Sequence, residues 1–94
     1  MLITVEEICY FRPDSKYTTV MTANNGALIG RSIKEIAEAV DPDVFWQIHR
    51  STTVNAHAIA GVTRDFRGHV SVALKQRRES LLVSESCAHL FRQM

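Results

Sequence analysis

Most of what this sequence excludes follows from what it has little of. Among 94 residues there are two cysteines, two prolines and four glycines, and the formal net charge is only +1. Cys9 and Cys87 stand far apart, with no CxxC spacing and too few partners for a disulfide framework, so both read as reduced, structural thiols. No apolar run approaches the ~18 residues of a membrane-spanning helix, and the N-terminus lacks a basic, then apolar, then small-residue pattern. The expectation is a cytoplasmic protein with no membrane partner. The glycines are isolated turn residues, so no phosphate-cradling loop is present. No pair among His49, His57, His69 and His89 has the HxxxH spacing of a zinc site, which argues against a metal. His49 lies two residues from Ser51, and His89 two from Cys87, but neither pair is accompanied by a nucleophile elbow or an oxyanion loop. No enzyme and no cofactor are expected. The few aromatics (Tyr10, Phe11, Tyr17, Phe45, Trp46, Phe66, Phe91) are scattered, and no strand carries two at alternate positions beside basic residues, as a reader of single-stranded RNA would.

What is present is a 46% hydrophobic content spread along the whole chain. That pattern predicts a single globular domain over residues 1–94, burying roughly 60–65% of the surface of its unfolded form. Residues 2–11 read as a first strand, with Arg12-Pro13-Asp14-Ser15 as the turn after it. Tyr17 to Ala23 and Ala27 to Gly30 form a hairpin about Asn24-Asn25-Gly26. Ser32 and Glu35 have capping-box spacing ahead of Ile33, Ile36, Ala37 and Val40, which predicts a short helix from Ile33 to Val40 ended by Asp41-Pro42-Asp43. Phe45 to Ile48 and Thr52 to Val54 flank a polar break, and strict alternation puts Phe45 on the opposite face from Trp46 and Ile48. Ile59 to Phe66 and Val70 to Lys75 pair about Arg67-Gly68, Ser80 to Val83 is a further strand, and Ser84 caps a final helix from Glu85 to Arg92. The fold class is mainly β within α+β: about seven strands in antiparallel sheets, with one inserted helix and one at the C-terminus.

The small net charge conceals a polarised distribution. Between Val44 and Arg78 six basic residues face one acid, Asp65, a local balance of +5. A domain charged in this way presents one side to a polyanion. Arg50 stands in the polar break, Asn55 closes the next strand, and Lys75, Arg77 and Arg78 form a basic tip. Guanidinium groups pair bidentately with phosphate or guanine, and amides with adenine, so these are the candidate contact residues.

The stretch WQIHRSTTVN, Trp46 to Asn55, resembles the "R-x-H-R-S-x-x-V-N" signature of the LytTR-type DNA-binding domains of bacterial response regulators. Upstream, Tyr17 with its β-branched neighbours, the NG turn and Arg31-Ser32-Ile33-Lys34-Glu35 are similar to the family's successive segments. So, downstream, are Ala58 to Val62 and Leu82-Val83-Ser84. The resemblance implies an elongated fold of antiparallel sheets whose loops enter successive grooves of double-stranded DNA. It further implies transcription regulation in a two-component system, an upstream receiver domain, and binding to tandem repeats as a dimer. Carried over by position, the groove-facing loops are Gly30-Arg31, His49-Arg50-Ser51 and Ser84-Glu85. Asn55 and the Lys75 to Arg78 connection, with Arg77, support backbone contacts. The sequence departs from the family pattern at Gln47 and Glu85, where arginine is usual, and at Gln76-Arg77-Arg78, where a glycine turn is usual. A protein-interaction or RNA-binding module on the same β-rich scaffold is the alternative.

Overall fold

The computed structural model describes residues 4–91. After a 3-10 turn at Val5–Glu7 come strands β1 (Ile8–Asp14), β2 (Tyr17–Thr22) and β3 (Gly26–Ile29), helix α1 (Ile33–Ala39), and strands β4 (Phe45–His49) and β5 (Thr52–Asn55). A second 3-10 turn, Ala56–Ala58, leads to β6 (Ile59–Arg64), β7 (Val70–Leu74) and β8 (Ser80–Val83), and the described chain ends in a 3-10 helix, Glu85–Phe91. All pairings are antiparallel. They form a five-stranded sheet of order β3-β2-β1-β5-β4 and a three-stranded sheet of order β6-β7-β8. The shape is elongated, 41 × 24 × 23 Å.

Alternation on the five-stranded sheet divides the core in two. One face packs Phe11, Val20 and Phe45 against Ile36 of α1, with the Phe11 and Phe45 rings stacked at 5.4 Å. The other face packs Tyr10, Ile48 and Val54 against Val70, Val72, Leu74, Leu81 and Val83 of the smaller sheet, with Trp46 edge-on to Phe91. Phe45 and Ile48 thus lie on opposite faces, as expected. Complete burial of Ile48, Val54 and Val72 stabilises the sandwich by roughly 1.5–3 kcal/mol each.

Several boundaries differ from the sequence reading, each for a physical reason. The first strand begins only at Ile8, because Thr4 and Glu7 close a capping box around the 3-10 turn; Leu2 and Ile3 lie outside the described residues. It then runs on through Pro13, opposite Thr18, and the turn falls at Ser15-Lys16, with Ser15 at φ 55°. Pro13 is tolerated because the pairing of β1 with β5 ends at Phe11, so no ladder bond is asked of the missing N–H on that side. The capped helix forms as expected, with the Glu35 N–H donating to the Ser32 hydroxyl at 3.2 Å. The C-terminal helix forms where expected and takes the 3-10 form. The Ser84 hydroxyl sits 3.2 Å from that of Ser86, and the Cys87 N–H donates to the Ser84 carbonyl, the three-residue closure of a 3-10 turn. Arg92, the expected end of this helix, lies outside the described residues.

Candidate functional site

The segment from Arg77 to Ser84 runs across the strands of the larger sheet instead of along them. Arg77 Nη1 donates to the carbonyl of Thr22 on β2, and the Tyr10 hydroxyl on β1 donates to Glu79. Ser80 to Leu82 then share a shallow groove with Arg12, His49, Ser51 and Thr52. Finally the Ser84 N–H donates to the carbonyl of Ile48 on β4 at 2.8 Å. This last bond seats the Ser84-Glu85 junction against the strand that ends in His49, so two of the three loops implied by the resemblance meet at one corner.

Within that corner the β4–β5 turn is tightly built. His49 Nδ1 accepts the Ser51 N–H at 3.2 Å and lies 2.9 Å from the Ser51 hydroxyl. A ring nitrogen that accepts a backbone N–H carries no proton in the neutral ring, so the donor is Nε2. A bulge between Gln47 and His49 re-aims the end of β4, and Arg50 projects at the apex, exposed. The third loop joins the same end of the sheet, because β3 pairs Ile29 with Thr18, and the Thr18 hydroxyl donates to the Arg31 carbonyl at 2.7 Å. Arg31 is exposed there, one strand from the Ser15-Lys16 turn.

Two residues belong to this end that the sequence reading did not select. Arg12 is exposed, with its guanidinium 5.3 Å from the centre of the Tyr10 ring, and it lines the groove beside His49 and Ser51. Lys16 is exposed in the β1–β2 turn, beside Tyr17. A basic residue on each side of the Pro13-Asp14-Ser15 segment was the available signal, and placing the turn two residues too early obscured it.

Four other candidates lie elsewhere. Asn55 is only 5% exposed; its amide N–H donates to the Ile8 carbonyl at 2.9 Å and its oxygen accepts the His57 N–H at 2.9 Å. Both ends of that amide are occupied inside the protein. Lys75 lies in a cleft with Asn55, Glu6 and Glu7, at the end of β5 away from the β4–β5 turn. Arg77 is held by Glu79 at 2.6 Å as well as by Thr22. Its hydrogen bond, with smaller help from the backbone N–H of Glu79 and the Tyr10 hydroxyl, keeps the Glu79 carboxyl well below the usual carboxylate range, at about 2. Arg78 is exposed next to this pair. The basic stretch from Val44 to Arg78 therefore does not form one charged side: Arg50 stands at the corner, Arg64 and Arg67 at the β6–β7 hairpin, and Lys75 to Arg78 at the far loop.

The family model of the LytTr DNA-binding domain matches residues 1–94. The chain belongs to the LytTR family. Its relatives include an uncharacterized response regulatory protein of Vibrio cholerae, 39% identical over 95 aligned positions. That alignment covers 97% of this chain but 36% of the relative, so the chain spans about a third of the relative's length. Among solved structures, the LytTr DNA-binding domain of a response regulator from Bacillus cereus superposes with a TM-score of 0.86. It covers 99% of this chain and 84% of that one, at 24% identity, a likeness that concerns the fold. LytTR domains bind DNA, which makes this a DNA-binding domain. Among the described residues no helix is long and apolar enough to cross a membrane, and no group of three or more His, Cys, Asp or Glu side chains is placed to hold a metal ion.

Proposed function

We propose that this LytTR domain binds double-stranded DNA sequence-specifically, as the non-enzymatic, cytoplasmic output module of a two-component regulator. The corner of Arg31, His49-Arg50-Ser51 and Ser84-Glu85 is its reading surface. The observation that carries the proposal is the bond from the Ser84 N–H to the Ile48 carbonyl, which joins two loops beside an exposed arginine. Arg50 has the fork geometry for guanine or phosphate, and the Nε2–H of half-buried His49 would be a single donor to a base edge or a phosphate. Arg31, Arg12 and Lys16 supply the phosphate contacts that fix register. Asn55 and Arg77 act by holding the scaffold, and Lys75 and Arg78 lie outside the contact. The length and description of the Vibrio relative support an upstream receiver domain in the full-length protein, which would pair two LytTR domains on tandem repeats.

Selection of bound sites from a random duplex pool, with affinities followed against salt, tests this reading. Enrichment of one motif, and a log–log salt slope that loses about 0.9 per phosphate contact removed, is the expected result. Failure to enrich any motif, or stronger binding to single-stranded RNA, overturns it.

A further inference from the structure

One exposed aromatic is left unused by the corner. Phe66, at the tip of the β6–β7 hairpin, is 93% exposed, more than any other large apolar side chain among the described residues. The tip beneath it is closed by its own hydrogen bonds. Asp65 Oδ1 accepts the N–H groups of Arg67 and His69 at 2.9 Å each, Oδ2 lies 3.2 Å from His69 Nδ1, and the backbones of Asp65 and His69 and of Gly68 and Asp65 are bonded at 3.0 Å. Gly68, at φ +86°, takes the one position a side chain would strain. The single acid of the tip is thus spent on the turn, while Arg64, Phe66 and Arg67 face outward, with the Arg67 guanidinium 5.4 Å from the centre of the Phe66 ring.

The tip is also placed beside the reading surface. Val70, at the start of β7, pairs with Val83, the residue before Ser84, so the hairpin rises at the end of the small sheet where Ser84-Glu85 emerges. Its base lies about one strand spacing, ~4.8 Å, from that junction, and three further residues carry the tip roughly 10 Å beyond it. At ~3.4 Å per base pair that reach corresponds to about three base pairs.

We infer that the Arg64 to His69 tip is a flanking DNA contact, with Arg64 and Arg67 on phosphates and the Phe66 ring against the sugars, outside the base pairs read by the corner. The inference rests on the DNA-binding reading of the corner. An acidic protein surface would suit the same residues, but the tip is continuous with the corner through β8, and its charge complements the polyanion that the corner binds.

The test compares wild type, the Arg64→Ala/Arg67→Ala double variant and Phe66→Ala on two duplexes carrying the selected site. One has ten-base-pair flanks and the other is trimmed flush with the motif; Arg50→Ala is the control and thermal melting monitors the fold. On the long duplex the double variant is expected to bind about tenfold more weakly, with a salt slope lower by about two, and Phe66→Ala a few-fold more weakly. On the trimmed duplex both should match wild type, while Arg50→Ala fails on both. If the tip variants bind the long duplex as wild type does while Arg50→Ala fails, the tip faces a protein partner and the inference is wrong. Equal losses on both duplexes also overturn it, because the effect then does not depend on flanking DNA. If wild type prefers no duplex, the corner itself has been misread.

Discussion

The two ends of the five-stranded sheet carry the same chemical types and use them in opposite ways. At the end that holds the β4–β5 turn, Arg31 and Arg50 are exposed, and half-buried His49 uses Nδ1 within its own turn. At the other end the amide of Asn55 is engaged at both its nitrogen and its oxygen by Ile8 and His57, and the guanidinium of Arg77 is held through Nε and Nη1 by Glu79 and Thr22. An arginine or an asparagine becomes available to a ligand only when the fold leaves its hydrogen-bonding capacity unused. Residue type nominates candidates; the internal bonding decides between them.

The largest effects should separate the ends by observable. Asn55→Ala removes a buried donor and acceptor and leaves the Ile8 carbonyl and the His57 N–H without those partners. It should cost about 2–3 kcal/mol of stability. In a domain of this size that is a fall in Tm of roughly 10–20 °C, while the protein still folded binds DNA as wild type does. Arg50→Ala should do the reverse, weakening specific binding by about 1–3 kcal/mol with stability changed by less than ~0.5 kcal/mol. Paired melting curves and titrations check both. An Asn55 variant that melts normally but no longer binds would erase the distinction between the ends.

The Arg77–Glu79 pair gives the comparison a pH axis. The folded-state pKa of Glu79, about 2, lies below its ordinary value of 4.5, held down first by the Arg77 hydrogen bond. The carboxylate's contribution to stability is therefore complete above about pH 4.5 and disappears as pH falls through 2. Glu79→Gln should be less stable than wild type at neutral pH, and the difference should close on acidification across that window. Chemical denaturation at a series of pH values measures it. A constant difference would mean that the pair contributes through packing and not through charge.

Glu85 tests the corner itself. The resemblance places arginine where this chain has a carboxylate, at the first residue of the C-terminal 3-10 helix and exposed. If Glu85 serves only the positive helix end, Glu85→Arg should tighten binding to all duplexes and cost a few tenths to ~1 kcal/mol of stability. If Glu85 accepts from the N4 amino group of a cytosine, affinity for the selected site falls and preference changes at one base pair. Titration of the selected site and its single-base variants separates these outcomes. No change in either would remove this loop from the interface.

How legible these ends were follows from the reach of the interactions that build them. The Asn25-Gly26 hairpin and the Ser32 cap depend on neighbours within a few residues, and both were readable. The division of Phe45 from Ile48 followed from alternation alone. The bonds that occupy Asn55 and Arg77 span 47 and 55 residues of sequence, and no local pattern reports them. The same holds for the Ser84–Ile48 bond that assembles the corner: resemblance supplied the loops, but only the packing of one sheet across the other brings them together.

The smallest expected effect would do the most to break the comparison. Lys75 and Arg78 were candidates for phosphate contacts, but Lys75 shares its cleft with Glu6 and Glu7, and along β5 it lies at least ~10 Å from the β4–β5 turn. A phosphate approaching that cleft meets two carboxylates as well as one ammonium group, so little net attraction remains. Neutralising Lys75 and Arg78 together should change affinity by less than about twofold and leave the salt slope within one unit of wild type, whereas each phosphate contact truly lost would lower it by about 0.9. A slope lower by two, with sequence preference intact, would mean that DNA bends far enough around the domain to reach the second end. The two ends would then differ in what they read and not in whether they touch DNA.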